Sequence, residues 1–155
     1  MRTQRAITPS EALDRLAEAC SRDEHCSGEL RRKLALWGIG AADAVAIIAK
    51  LTEARYVDDA RFARAYVREK VQLGYWGRRK VRLALMQKRV PAGLIDEALE
   101  QIEPEAYLES LRHVLAAKRR TLSEPDSYEG RTRLFRYAVS RGFEPDLIAS
   151  ELRRR

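Results

Sequence analysis

Three side chains suited to a soft metal lie close together near the N-terminus: Cys20, His25 and Cys26. Structural zinc takes four such ligands, and no fourth follows nearby. Cys20 falls on an apolar helical stripe and Cys26 beside a turn, so packing accounts for both without a metal. Asp58 and Asp59 form the best carboxylate pair. Neighbours at a helix start point in different directions, so the expectation is a helix cap plus a surface charge rather than an acid–base pair. His25 lies in a short turn and His113 in mid-helix, and each reads as an exposed histidine. Gly74-Tyr75-Trp76-Gly77 lacks the lysine and hydroxyl of a phosphate-cradling P-loop. No catalytic residue, metal or cofactor is therefore expected, and the chain reads as a non-enzyme.

Charge is more informative than chemistry. The 155 residues carry 30 Lys+Arg against 23 Asp+Glu, a net charge of +7, which favours a polyanionic partner. Between Arg78 and Arg89 every charge is basic: Arg78, Arg79, Lys80, Arg82, Lys88 and Arg89. Between Pro91 and Leu111 every charge is acidic, and Glu97, Glu100 and Glu103 form a candidate protein-partner patch. Two solvated faces that neutralise each other would give the same pattern. Tyr75 and Trp76 edge the basic run, placed to stack on bases or to plug a seam, with packing favoured for Trp76. Arg31, Arg32 and Lys33 lie early in another basic helix, and Arg131, Arg133 and Arg136 in a third. Together these residues make the expected DNA- or filament-binding surface.

The elements that must position them are all helical. Hydrophobic residues make up 45% of the chain and charged residues 34%, enough for a core and for long solvated helix faces. Thr8-Pro9-Ser10-Glu11 is a capping box after a basic arm at residues 1–7. Leu13, Leu16, Ala17 and Cys20 form the stripe of a first helix. A second, capped by Ser27, carries Leu30 and Leu34 and ends at Gly38-Ile39-Gly40. A third turns Val45, Ile48 and Leu51 inward. Asp58 caps a fourth with Phe62, Ala63, Tyr66, Val67 and Val71, and Gly74 ends it in a left-handed cap. The fifth runs from about Trp76 to Lys88, and Pro91 opens a sixth. Pro104 opens a seventh, an eighth begins near Glu129, and a ninth follows Pro145. No run alternates as a strand would.

These nine helices fall into three sets of three. Ile39, Val90 and Phe143, spaced 51 and 53 residues apart, each sit in the break between a second and a third helix. Nine residues earlier stand Leu30, Val81 and Leu134; five earlier, Leu34, Leu85 and Ala138; nine later, Ile48, Leu99 and Leu152. One such triplet buries little alone, whereas stacked copies share cores. The expected fold class is all-α: three tandem three-helix repeats, at 8–54, 55–102 and 103–155, in an elongated, curved array. Two cysteines point to a reducing compartment. No apolar run suggests a signal peptide or membrane span, so a cytoplasmic protein without membrane contact is expected.

The residues that carry this pattern also resemble a known family. L-T-E-A-R-Y-V-D-D-A-R-F-A-R-A-Y-V (51–67), G-Y-W-G-R-R-K-V-R-L-A-L (74–85) and V-P-A-G-L-I-D-E-A-L (90–99) resemble the RecX family of bacterial recombination regulators. S-G-E-L-R-R-K-L (27–34) is similar to that family's first-repeat motif and R-G-F-E-P-D-L-I (141–148) to its third, so the resemblance spans about Ala12 to Leu152. Two features depart from the pattern: Trp76 inside the Gly-aromatic-Gly turn, and the second-repeat break Arg89-Val90-Pro91, where a glycine is more typical. The resemblance implies a non-enzymatic inhibitor of the RecA recombinase and of its filament on single-stranded DNA, a modulator of DNA repair and the SOS response. It also implies weak, sequence-indifferent binding to single-stranded or duplex DNA, and the chain is expected to act as a monomer. The competing reading is a helix-turn-helix transcription factor, which would retain duplex DNA sequence-specifically.

Overall fold

The structure, a computed structural model, describes residues 5–154; the first four residues of the basic arm and Arg155 lie outside it. Nine α-helices and no strand occur among the described residues. They are α1 (Pro9–Arg22), α2 (Ser27–Leu36), α3 (Ala41–Glu53), α4 (Asp59–Gln72), α5 (Arg78–Gln87), α6 (Ala92–Glu100), α7 (Pro104–Arg119), α8 (Tyr128–Ser140) and α9 (Pro145–Arg153). None is long and apolar enough to cross a membrane. Thr8, Asp58 and Ser127 cap α1, α4 and α8 by accepting from Glu11 N, Arg61 N and Gly130 N.

The threefold register holds down to single hydrogen bonds. Each second helix (α2, α5, α8) closes with the landmark amide donating five residues back. Ile39 N donates to Leu34 O at 3.0 Å, Val90 N to Leu85 O at 3.1 Å, and Phe143 N to Ala138 O at 3.2 Å. This closure needs a left-handed residue just before the landmark. Gly38 (φ 75°), Arg89 (φ 60°) and Gly142 (φ 96°) supply it. Two are glycine, which adopts it freely; Arg89 does so at a cost of about 1–2 kcal/mol. Leu30, Val81 and Leu134, and Leu34, Leu85 and Ala138, are buried in all three copies.

Helices α1 and α2 pack on α3, α4 packs on α5 and α6, and α8 packs on α7 and α9; α4 also meets α7. The buried side chains separate into two cores. One belongs to α1–α3 and includes Leu16, Leu30, Leu34, Ile48 and Leu51. The other runs without a break from Phe62 and Val67 through Val81 and Leu99 to Leu111, Phe143 and Ile148. The accessible surface is 10479 Å². A compact monomer of 17.8 kDa would expose about 8,000 Å². The array is therefore elongated.

Several local expectations are corrected. Val45 is 68% exposed, because Ala44, Ile47, Ile48 and Leu51 take the inward stripe one position away. Cys26, not Ser27, is the N-cap residue of α2. Tyr75 (φ 53°), not Gly74, takes the left-handed position after α4. The fifth helix begins at Arg78 rather than Trp76, and Pro91 precedes the sixth as its N-cap.

Candidate nucleic-acid interface

The second helices of the three repeats meet end to end. At the first junction the N-terminus of α2 abuts the C-terminal end of α5. The Cys26 thiol donates to Lys88 O at 3.6 Å, and a Cβ on Gly28 would overlap that same carbonyl. At the second junction the N-terminus of α5 abuts the end of α8. Gly77 N donates to Arg141 O at 2.8 Å and Arg79 N to Gly142 O at 3.0 Å. A Cβ on Gly77 would overlap the Gly142 backbone. Lys88 and Arg141 each stand two residues before their landmark, so the two junctions repeat one contact. Each joins a positive helix terminus to a negative one, which favours the arrangement electrostatically.

Side chains lock both junctions. Asp59 accepts from Ser27 N at 2.7 Å and Ser27 Oγ at 2.6 Å, so it caps α2 of the preceding repeat instead of standing as a surface charge. Asp58 caps its own helix. Glu29 accepts from Lys88 Nζ at 3.0 Å and lies 3.1 Å from His25 Nδ1. Burial alone would raise the Glu29 pKa, but its bonds to Lys88 and His25 outweigh that and hold the carboxyl below its usual range. At the second junction Tyr107 Oη accepts from Arg78 N at 3.0 Å and donates to Glu144 Oε1 at 2.7 Å. Burial, reinforced by Glu144, pushes that phenol well up.

The expected binding residues divide accordingly. Arg78 is held by Glu144 at 3.1 Å and lies over the Tyr107 ring at 3.9 Å; Arg82 pairs with Asp96, and Lys88 with Glu29. Arg131 donates to Leu152 O at 2.9 Å. These four serve the fold first. Arg31, Arg32, Lys33, Arg79, Lys80, Arg89, Arg133 and Arg136 have no carboxylate within ion-pair distance among the described residues, and all but Lys33 and Lys80 are exposed. Every second helix thus presents unpaired cations.

Tyr75 stacks on His113 with ring centroids 3.8 Å apart, so one of its faces is taken. Trp76 packs against the larger core, with Lys80 over its ring at 4.4 Å and Lys70 at 5.0 Å. Burial, and secondarily Arg141, depress the Lys80 pKa. Glu97, Glu100 and Glu103 are exposed along α6 and at the start of α7. Sequence reasoning missed Lys70, which also lies 5.4 Å from the Tyr66 ring, and Arg141, which donates to Gly74 O at 2.6 Å across the second junction. The α4 stripe pointed to Tyr66, but no periodicity marks a loop arginine. Among the described residues no group of three or more His, Cys, Asp or Glu could hold a metal. Burial pushes the Cys26 thiol up to about 11, which keeps it from the thiolate form that ligates metal.

The arrangement has known counterparts. The family model described as "RecX, second three-helix domain" matches residues 58–99, and "RecX, third three-helix domain" matches 105–150. The chain is 36% identical over 132 residues to "Regulatory protein RecX" of Vibrio campbellii, covering 85% of this chain and 83% of that protein. It is 33% identical over 134 residues to "Regulatory protein RecX" of Thermus thermophilus, covering 86% and 84%. Among solved structures, the crystal structure of a regulatory protein RecX superposes with a TM-score of 0.85 at 20% identity, over 95% of this chain and 72% of that one. RecX from Lactobacillus salivarius superposes at 0.83 with 22% identity, over 93% and 96%. These two likenesses establish the shared all-α repeat fold.

Proposed function

The chain belongs to the RecX family of regulatory proteins, and from that premise we propose that it binds the RecA recombinase filament on single-stranded DNA and inhibits it. The observation that carries this reading is the end-to-end row of α8, α5 and α2 with an unpaired cation on each. The three helices hold 10, 10 and 13 residues. At 1.5 Å per residue, laid in line, they would span at most roughly 50 Å, more than the diameter of a small domain. A row of that length can touch more than one subunit of a polymer, which makes binding depend on the assembled filament.

In this reading the cations of the row face the nucleoprotein, and Glu97, Glu100 and Glu103 contact the recombinase. The protein blocks filament extension, ATP hydrolysis and coprotease action by occupancy, not by catalysis. It works as a monomer in the cytoplasm, with unit boundaries at 54/55 and 102/103. Direct DNA binding is weak, salt-sensitive and indifferent to sequence. A pull-down with recombinase, free and assembled on single-stranded DNA, tests the reading. Retention of the assembled filament well above free recombinase is expected. Retention of neither, or sequence-specific retention of naked duplex, would overturn it.

A further inference from the structure

Arg31 and Arg32, in the first half of α2, and Arg89, just past the end of α5, line one open hollow of about 420 Å³ at the first junction. The other charges around it cancel, because Glu29 is bonded to Lys88. Three guanidiniums are left over, contributed by two different repeats. Arg89 also holds a left-handed backbone where its counterparts Gly38 and Gly142 are glycine. Its side chain is exposed and makes no ion pair or hydrogen bond among the described residues. Arg55 (φ 61°) is also an exposed, left-handed arginine, so what singles out Arg89 is its place in the hollow beside Arg31 and Arg32, where its strained backbone supports a side chain that makes no bond within the fold.

We propose that this hollow is a phosphate clamp that takes a backbone phosphodiester of nucleic acid between Arg31, Arg32 and Arg89. Guanidinium forks match phosphate oxygens two at a time, which suits a site built from arginine. The proposal rests on the reading of the second helices as a nucleic-acid-facing row, and it names where that row grips. A strand held there ties the first repeat to the second.

The test is fluorescence anisotropy of a labelled oligothymidylate, about 30 nucleotides long, against the full chain at several salt concentrations. Arg89→Gly should raise the melting temperature by about 2–4 °C. It should also weaken binding about three- to tenfold and flatten the salt slope by about 0.7, the loss of one phosphate contact. The double variant Arg31→Ala with Arg32→Ala should weaken binding further without the thermal gain. Arg64→Gln removes the same charge on α4, away from the hollow, and should leave the slope unchanged. Unaltered affinity and slope in Arg89→Gly would overturn the clamp, as would an equal loss in Arg64→Gln or no oligonucleotide binding by the parent chain at low salt. Because Arg89→Gly is expected to gain stability, unfolding cannot mimic the result. Recombinase inhibition measured on the same preparations separates the two readings: inhibition without a clamp effect rejects only the clamp.

Discussion

Asp59 and Asp58 look alike in sequence and do different work. Asp58 caps its own helix, while Asp59 reaches back to an amide and a hydroxyl at the start of α2. Asp59→Ala should cost about 2 kcal/mol, because it strips a charge-assisted cap and leaves the buried Ser27 hydroxyl without its partner. Asp58→Ala should cost about 1 kcal/mol, and thermal melts would rank the two. Glu29 supplies a pH signature. Its folded pKa lies below the usual 4.5, so its stabilisation is present above that value and is lost as pH falls through the folded pKa. Glu29→Gln should therefore be less stable than the parent near neutrality and equal to it in strong acid. A constant gap across pH would show that the Lys88–Glu29–His25 contact carries no net charge coupling. The sequence shows Asp58 as a cap because its partner is three residues away. Asp59 is illegible there because its partner is 32 residues away, across a repeat junction.

At the scale of elements, the phase of the breaks was readable because one hydrogen-bonded closure recurs three times and demands the same spacing of apolar residues. Helix ends were read one or two residues out where an aromatic or a proline sat at the boundary, as at Trp76 and Pro91. How helices abut was not readable, since it depends on atoms that are missing, namely side chains on Gly28 and Gly77. Gly77→Ala would drive a Cβ into the backbone of Gly142 and should cost at least about 2–3 kcal/mol. Gly93→Ala, on α6 with open space around it, should be neutral or stabilising by up to about 0.5 kcal/mol. Chemical denaturation of the pair would distinguish close approach from a general intolerance of added methyl groups.

Over the whole molecule the two junctions differ in kind. The second lies within one continuous apolar core, whereas the first separates two cores. One apolar side chain crosses the first, the fully buried Cys26 that sits in the larger core, and the rest of the contact is polar: Ser27 with Asp59, Lys88 with Glu29, and Arg61 facing Glu24 in an ion pair whose N–H is not aimed as a hydrogen bond. Exposed pairs of the last kind contribute little and weaken with salt. Hydrogen exchange should therefore find α1–α3 opening at lower free energy than α4–α9, with the difference widening in 1 M salt. Uniform protection along the chain would contradict that division. Charge counts pointed to basic second helices, yet not to which cations stay unpaired, because Arg78, Arg82 and Lys88 find carboxylates only in the fold.

The most direct measurement is RecA ATP hydrolysis on single-stranded DNA, titrated with the parent chain and with a variant carrying Arg32→Glu, Arg79→Glu and Arg136→Glu. These are three exposed cations, one from each second helix. The parent should suppress hydrolysis at or below one copy per recombinase subunit, and the variant, still folded by circular dichroism, should fail to do so. Hydrolysis untouched by the parent, or suppressed equally by the variant, would contradict a basic row acting on the filament.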